Sequence, residues 1–215
     1  MEHAFWHSRW AEGRIGFHRA QVNPHLLSGA GVWTTAQRVL VPLCGKSVDL
    51  WHLASLGHEV VGVELSPVAV EALFSEAGVA PTLTPAGAMT RWEGGGVVVY
   101  CGDFFDLEAR GFTAFWDRAA MIALPPVLRG RYVEKLRASC EPSCVGLLLT
   151  LDGDGVAPSP PFFVDEEEVR RRYADGFEVH ALSGPVATDA PAGSGATVEQ
   201  LWCLRGGAPD GTAQV

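Results

Sequence analysis

The sequence has little positive charge. Its 16 Lys and Arg residues are outnumbered by 25 Asp and Glu residues, which leaves a formal net charge of −9. Nucleic acids and anionic membrane surfaces bind basic proteins, so the sequence predicts neither as a partner. No apolar run approaches the length of a membrane span, and the N-terminal residues lack the apolar segment of a signal peptide. We therefore expect a cytoplasmic protein, and we expect a monomer.

Recognisable metal sites and nucleophilic catalytic groups are also missing. The five cysteines and seven histidines are dispersed along the chain. Cys140 and Cys144 are separated by three residues, but no second pair lies at the spacing of a zinc site. No Ser-His-Asp or Cys-His arrangement can be identified. The sequence predicts no metal ion and no catalytic residue that forms a bond with the substrate.

The most informative segment that is present covers residues 38–64. An apolar run at 38–43 enters a turn at Cys44-Gly45, a helical pattern follows at 47–56, and a second apolar run at 60–63 ends in Glu64. This is the pattern of a βαβ unit in an open parallel sheet, where ligands bind beyond the carboxyl ends of the strands. An acid about 20 residues after the glycine turn accepts hydrogen bonds from ribose hydroxyls. The segment therefore predicts a nucleoside-type cofactor.

The glycines of the turn narrow the choice of cofactor. Dinucleotide-binding proteins need a G-x-G-x-x-G turn, whereas this turn has Gly45 alone. A phosphate-binding loop would need a glycine at position 40, which is Leu40. A nucleoside without phosphates fits better, and S-adenosyl-L-methionine is the common one. From these residues alone, a simple strand-to-helix turn at Gly45 and a solvated strand end at Glu64 remain the alternative.

The rest of the chain predicts parallel strands flanked by helices, followed by a terminal antiparallel pair. Apolar runs predict further strands at 89–92, 97–101, 112–116, 145–151, 177–182 and 197–204, and helical periodicity predicts helices at 5–10, 67–77, 126–139 and 166–173. The fold class is therefore α/β, with a doubly wound, mostly parallel seven-stranded sheet that ends in an antiparallel strand pair. We predict one domain over residues 1–205 and a disordered tail over 206–215.

Short motifs between residues 5 and 173 resemble, in the same chain order, those of the thiopurine S-methyltransferase family, most closely its bacterial branch. They are Phe5-Trp6, Trp10, Gly16-Phe17-His18, Val22-Asn23-Pro24, Pro42-Leu43-Cys44-Gly45-Lys46-Ser47, Gly57-His58, Gly62-Val63-Glu64-Leu65-Ser66, Cys101-Gly102-Asp103-Phe104-Phe105, Trp116-Asp117-Arg118-Ala119-Ala120 and Pro160-Pro161-Phe162. The resemblance implies a class I methyltransferase with an N-terminal lid over about residues 1–35. It implies S-adenosyl-L-methionine as donor and the sulfur of small aromatic thiols as acceptor. Activity of bacterial relatives on selenium or tellurium compounds implies a role in detoxification.

The resemblance also implies which residues bind the donor. The cofactor contacts of the family fall on Trp10, Leu43, Glu64 and Arg118. Glu64 would bind the ribose hydroxyls, and Leu43 would lie where the first strand passes the cofactor. Trp10 and Arg118 would hold the methionine end or close over it, and Arg118 is also a candidate for orienting the substrate.

Four further residues complete the expected site. Asp103 and Phe104 occupy the usual adenine position of this fold, and Phe17 and His18 are expected to contact the substrate. An aromatic thiol is largely ionised near neutral pH, so the protein needs to supply alignment at ~3–3.5 Å and a water-poor pocket without a strong base. Transfer to oxygen or nitrogen would need a base, for which His18 is the candidate.

One segment departs from the family pattern. No Lys or Arg occurs between Tyr173 and Leu204, where family members carry basic residues near the substrate. A smaller or neutral thiol, or an inorganic chalcogen species, is therefore as consistent with the sequence as a thiopurine. Besides transfer to oxygen or nitrogen, a protein that binds S-adenosyl-L-methionine without catalysis remains an alternative.

Overall fold

The computed structural model of the chain describes residues 3–35, 37–154, 157–188 and 197–207. Ten strands form one sheet in the order β3-β4-β5-β2-β1-β6-β7-β10-β8, and β9 also pairs with β10. The strands are β1 (Arg38–Val41), β2 (Glu59–Glu64), β3 (Thr82–Ala86), β4 (Met89–Gly94), β5 (Val97–Cys101), β6 (Phe112–Asp117), β7 (Cys140–Gly153), β8 (Phe177–Ala181), β9 (Val186–Thr188) and β10 (Thr197–Gly206). The helices are α1 (His3–Ala11), α2 (Pro24–Gly29), α3 (Asp49–Ser55), α4 (Pro67–Glu76), α5 (Ala120–Ala123), α6 (Pro126–Ser139) and α7 (Glu166–Tyr173).

The centre of the sheet is parallel and apolar on both faces. β1 pairs in parallel with β2 and β6, and β5 and β7 continue the parallel arrangement outward. Along these strands, successive side chains point to opposite faces and enter two separate apolar clusters. Leu40 and Val61 belong to one cluster with Tyr132 of α6, and Val39 and Leu50 of α3 belong to the other. Burial on both faces explains why these strands appear as continuous apolar runs in the sequence.

The predicted fold class is confirmed, with a larger sheet than predicted. The expected parallel core and antiparallel end correspond to the order β5-β2-β1-β6-β7-β10-β8, in which β10 is antiparallel to both β7 and β8. The sheet also contains β4, which the sequence predicts, and β3 and β9, which it does not. β3 is largely exposed and contains Pro85, so it lacks the apolar alternation that would indicate an edge strand.

Two predicted boundaries around the first turn are wrong. β1 ends at Val41 instead of position 43, and α3 begins at Asp49 instead of position 47. The reason is backbone geometry, because Leu43 and Gly45 adopt φ values of 48° and 54°, in the left-handed region that neither strand nor helix allows. At the other end of the chain, β10 extends to Gly206, while residues 208–215 of the predicted tail lie outside the described residues.

Buried Asp49 connects the segment after α1 to the sheet. Its Oδ1 accepts the backbone N–H of Asn23 at 2.8 Å, and its Oδ2 accepts the indole N–H of Trp116 at 2.8 Å. Asn23 in turn caps α2 by accepting the N–H of His25 at 2.9 Å. Both oxygens of Asp49 are thus used structurally, and they fix where the N-terminal segment leaves the sheet.

Gly62 allows the first turn and α3 to pack closely on β2. A Cβ at this position would lie 2.8 Å from the Cys44 sulfur, 2.9 Å from Leu50 Cδ2 and 3.3 Å from Val99 Cγ2. These distances are shorter than normal van der Waals contacts. A side chain here would therefore push the turn that carries Leu43 and Gly45 away from the end of β2.

We predict that Gly62→Ala lowers the free energy of unfolding by about 1–3 kcal/mol, because it overpacks the contact between β2 and α3. Gly130→Ala in α6 is the matched control. Its new Cβ would lie 3.5 Å from Arg172 Nη1, an ordinary contact, and replacement of a helical glycine should stabilise by about 0.5–1 kcal/mol. Urea denaturation of both variants measures the difference. Equal stabilities of Gly62→Ala and the wild type would contradict the close packing.

Candidate functional site

A cavity of about 780 Å³ lies at the carboxyl ends of β2 and β5, next to the turn that follows β1, and α1 forms part of its wall. Three parts of the chain line it. The strand ends and the residues after them contribute Leu43, Gly45, Val63, Glu64, Leu65, Gly102, Asp103, Phe104 and Phe105, and the N-terminal segment contributes His3, Trp6, Arg9, Trp10, Arg14, Gly16 and Phe17. The third part consists of Ala119, Ile122, Ala123, Leu124, Leu128, Tyr132, Pro160 and Pro161. The volume lies in the usual range for small-molecule sites. Its position is where open parallel sheets bind ligands.

Glu64 links the turn after β1 to the turn after β2. Its Oε2 accepts the backbone N–H of Gly45 at 2.9 Å, and its Oε1 accepts the N–H of Ser66 at 2.7 Å. The residue is only 6% exposed, and burial raises the pKa of its carboxyl to about 7 although the N–H groups of Ser66, Gly45 and Leu65 oppose the rise. Each carboxylate oxygen can accept a second hydrogen bond, so Glu64 can still bind a ligand.

The turn between β1 and α3 holds a strained but well-anchored backbone. Leu43 has a φ of 48°, a conformation that costs a branched residue on the order of 1–3 kcal/mol. The next residue, Cys44, donates its N–H to the carbonyl of Val63 at 2.9 Å, and Ser47 donates to the carbonyl of Cys44 at 3.1 Å. These bonds and the Gly45–Glu64 contact hold the turn against β2, with Leu43 and Gly45 in the cavity wall.

The end of β5 forms the second polar corner of the cavity. Asp103 accepts the backbone N–H of Phe105 at 2.9 Å through Oδ1, and its Oδ2 lies 2.9 Å from Nε2 of His3 on α1. Phe104 is 5% exposed and packs against Tyr132, with ring centroids 5.1 Å apart. The corner thus offers a carboxylate beside an apolar ring face.

Aromatic side chains hold α1 over the cavity. Phe17 makes edge-to-face contacts with Trp6 and Trp10, each with ring centroids 5.7 Å apart. Trp10 is 7% exposed, and its ring lies 3.1 Å from the Cβ position of Gly45, so a side chain at Gly45 would push against it. α1 therefore rests directly on the glycine turn.

Arg118 and His18 line a smaller neighbouring pocket of about 50 Å³, which shares the walls formed by Trp10, Leu43 and Gly45. The Arg118 guanidinium donates to the carbonyl of Phe17 at 2.9 Å. Burial lowers the pKa of Arg118, and the nearby Arg19 charge lowers it further. Burial also lowers the pKa of His18, followed by the charge of Lys46.

The structure brings most of the predicted site residues together. Trp10, Leu43, Glu64, Asp103, Phe104 and Phe17 line the large cavity, whereas Arg118 and His18 line only the smaller pocket. His18 thus lines the smaller pocket instead of the large cavity, because the backbone turns after Ile15, whose carbonyl accepts the N–H of His18 at 2.8 Å.

Sequence reasoning missed several residues of the cavity wall. Trp6, Arg9 and Tyr132 all line the cavity, although none of them is among the predicted site residues. The spacing of Trp6 and Arg9 with Trp10 on one helix could have indicated their shared face. No local pattern marks Tyr132, because it reaches the cavity only through the position of α6.

Asp117, at the end of β6, is not available as a base. Burial raises the pKa of its carboxyl to about 6. Its Oδ1 accepts the N–H groups of Ala120 and Met121 at 3.0 and 3.2 Å, and its Oδ2 accepts the hydroxyl of Tyr132 at 2.7 Å.

Within the described residues, no group of three or more His, Cys, Asp or Glu side chains could hold a metal ion. In the same part of the chain, each helix is too short or too polar to span a bilayer.

Comparisons of the sequence and of the structure with known proteins both find methyltransferases. The sequence model described as thiopurine S-methyltransferase matches residues 1–201. A thiopurine S-methyltransferase from Pseudomonas putida is 44% identical over 95% of this chain and 99% of its own length. One from Pseudomonas fluorescens is 50% identical over 79% of this chain and 80% of its own. The crystal structure of the Burkholderia thailandensis 1,6-didemethyltoxoflavin-N1-methyltransferase, with bound 1,6-didemethyltoxoflavin and S-adenosylhomocysteine, has a similar fold, with a TM-score of 0.69 and 15% identity over 94% of this chain and 87% of that chain.

We predict that Glu64 makes the wild-type protein lose stability, relative to Glu64→Gln, as the pH rises from 5 to 8. The ordinary pKa of 4.5 applies to the unfolded chain and a pKa of about 7 to the folded protein. Between these values the folded protein binds one more proton, so its stability falls as the pH rises. The difference in unfolding free energy between the two proteins should change by roughly 1–3 kcal/mol.

Urea denaturation across this pH range measures the effect, and Asp117 cancels because both proteins contain it. Gln keeps one acceptor oxygen and alters the contacts by an amount that does not vary with pH. Parallel stability curves for the two proteins would mean that Glu64 ionises with an ordinary pKa.

Proposed function

The chain belongs to the thiopurine S-methyltransferase family, and from this we propose that it transfers the methyl group of S-adenosyl-L-methionine to the sulfur of a small molecule. The observation that carries the proposal is the position of Glu64. This buried acid at the carboxyl end of β2 lines the cavity with free acceptor capacity on both oxygens. Two ribose hydroxyls of a nucleoside donor are suitable partners for such a carboxylate.

The remaining residues around Glu64 fit the other parts of the donor. Asp103 and Phe104 form a polar edge and an apolar face that suit adenine. Leu43 lies in the turn beneath the expected sulfonium, and Trp10 covers the same region from α1. Arg118 lies across the wall formed by Leu43 and Trp10, where its charge attracts a carboxylate at the methionine end. Each of these assignments is part of the proposal.

The residues of this chain supply alignment and exclusion of water. S-adenosyl-L-methionine carries an activated methyl group on a sulfonium, so a thiolate needs only to be held in line with it. The rings of Trp6, Trp10 and Phe17 line the cavity where the N-terminal segment covers it. The rings of Tyr132 and Phe104, which pack against each other, form another part of its wall. Aromatic faces also stabilise a sulfonium by cation–π contact, worth on the order of 0.5–2 kcal/mol.

Transfer to sulfur is better supported than transfer to oxygen or nitrogen. A hydroxyl or amine acceptor would need a base beside the methyl group. His18, the candidate base, lines the smaller pocket, and Asp117 is bonded to Tyr132 and two backbone N–H groups. Thiolates, selenolates and tellurolates need no such base, and the proposal extends to selenium and tellurium acceptors in detoxification.

The proposal also covers the organisation and setting of the protein. One methyltransferase domain spans residues 1–205, and residues 1–35 act as its lid. The acidic net charge of −9 favours a small-molecule acceptor over nucleic acid. A cytoplasmic location agrees with the dispersed cysteines, and the proposal includes a monomeric state.

Incubation with methyl-labelled S-adenosyl-L-methionine and a panel of acceptors tests the proposal. The panel contains aromatic and aliphatic thiols, selenite, tellurite and catechols. We expect transfer to thiols, with little or none to catechols, as measured by extraction of labelled product. Preferential labelling of catechols would favour an oxygen methyltransferase. Donor binding without transfer to any acceptor would favour a non-catalytic binding protein.

We predict that S-adenosylhomocysteine, the demethylated donor, binds the wild type about ten-fold more tightly at pH 8 than at pH 6. Ribose hydroxyls favour the ionised carboxylate, whereas burial keeps the free Glu64 partly protonated below its pKa of about 7. Glu64→Gln should bind roughly ten- to a hundred-fold more weakly at pH 8 and should lack this pH dependence. Calorimetry measures both affinities, and the comparison of the two proteins cancels the effect of the ligand's own ionisable groups. Identical pH profiles for the two proteins would mean that Glu64 does not bind the donor.

A further inference from the structure

One helix face turns a positive charge toward the cavity. His3, Trp6 and Arg9 follow each other at three-residue intervals on α1, and Trp10 lies beside them. All four line the cavity. Residues at this spacing lie on the same side of a helix, so α1 presents two indole rings and a guanidinium to any molecule bound beneath it.

Arg9 differs from the other charged residues of the cavity wall because it has no ionic partner among the described residues. His3 pairs with Asp103 at 2.9 Å, Arg14 pairs with Glu12 at 2.6 Å, and both oxygens of Glu64 accept backbone N–H groups. Arg9 lies over the ring of Phe5, 5.2 Å from its centroid, which leaves the edge of the guanidinium without a carboxylate.

Two donors on this helix face also lack acceptors. The Nε of Arg9 and the indole Nε1 of Trp6 are buried, and neither has a hydrogen-bond partner in the described part of the chain. Buried donors in native proteins are nearly always satisfied by protein, water or ligand. The residues of this helix face thus contain donor groups that no described residue uses.

The part of the cavity next to α5 and α6 is otherwise apolar. Ile122, Leu124, Leu128, Pro160 and Pro161 form its wall. The last two strands contribute no cation, because residues 174–203 contain neither Lys nor Arg. A carboxylate at the methionine end of the donor has Arg118 and Lys46 across the wall formed by Leu43 and Gly45. Arg9 is therefore the positive charge left for the acceptor.

We propose that the guanidinium of Arg9 binds a carboxylate on the methyl acceptor, so that the preferred acceptors are aromatic thiols that carry a carboxylate. This inference rests on the proposed function and names its substrate class. It replaces the expectation of a small or neutral thiol, which followed from the missing basic residues between the last two strands. The lid supplies the charge that those strands lack, and it does so only when α1 covers the cavity.

A pair of thiols of nearly equal size tests the proposal by binding. Calorimetry compares 4-mercaptobenzoate with 4-methylbenzenethiol on the protein saturated with S-adenosylhomocysteine. The wild type should bind the carboxylated thiol at least ten-fold more tightly. Arg9→Met should weaken that binding roughly ten- to a hundred-fold, as expected for a charge-assisted bond, and should leave 4-methylbenzenethiol and S-adenosylhomocysteine within three-fold. Arg9→Lys should restore most of the preference.

Arg14→Met is the matched control, because it removes an equal charge from the same cavity wall but from a residue already paired with Glu12. It should change binding of either thiol by less than three-fold. Equal binding of the two thiols by the wild type, or equal losses in Arg9→Met for both thiols or for S-adenosylhomocysteine, would overturn the proposal. An equal loss of 4-mercaptobenzoate binding in Arg14→Met would mean that general electrostatic attraction causes the effect, and would also overturn the proposal.

Turnover separates this inference from the proposed function. If the wild type binds 4-mercaptobenzoate with the predicted dependence on Arg9 but transfers no methyl group to it, the carboxylate site stands and methyl transfer to sulfur fails. If both thiols are methylated with equal affinity, the function stands and the role of Arg9 fails. The wild-type preference needs no variant, so the test does not depend on how well Arg9→Met folds.

Discussion

The carboxylate of Glu64, held between the N–H groups of Gly45 and Ser66, is the contact on which the site depends. One buried group sets the distance between the turn after β1 and the turn after β2. The same two turns position Leu43 in the cavity wall and begin α4. Because the carboxyl is desolvated, its pKa is raised to about 7. Glu64 is therefore a structural clamp between the two turns, and the proposed function makes the same residue the acid that binds the ribose.

The sequence predicts the parallel core well and the edges poorly, for physical reasons. Strands such as β1 and β6 are buried on both faces, so apolar content alone identifies them. β3 has four of five residues exposed, and it is ordered by pairing with β4, which no local pattern reveals. For the site, Glu64 is predictable because its strand and turn are local neighbours. The pocket assignment of His18 is not predictable, since it depends on how the chain turns between α1 and α2.

The N-terminal segment lines both the large cavity and the smaller pocket beside it. Trp6 and Arg9 belong to the large cavity, while His18 belongs to the pocket that contains Arg118. Trp10 and Phe17 form the wall between these spaces. Arg118 bonds to the carbonyl of Phe17, and Asp49 bonds to the N–H of Asn23, so the segment is fixed at its far end and rests on aromatic contacts at its near end. The N-terminal segment is therefore attached to the rest of the protein by polar bonds at one end and by aromatic packing at the other.

Leu43 has a backbone conformation that a residue with a side chain rarely adopts. Glycine would adopt its left-handed backbone without strain, yet the chain carries a bulky aliphatic side chain there. A glycine would also let the turn sample more backbone conformations than leucine does. Leucine costs about 1–3 kcal/mol of backbone strain in the folded protein, and it restricts the backbone of the turn more than glycine would. The shape of the turn is consequently set when the protein folds, by the bonds that anchor it to β2.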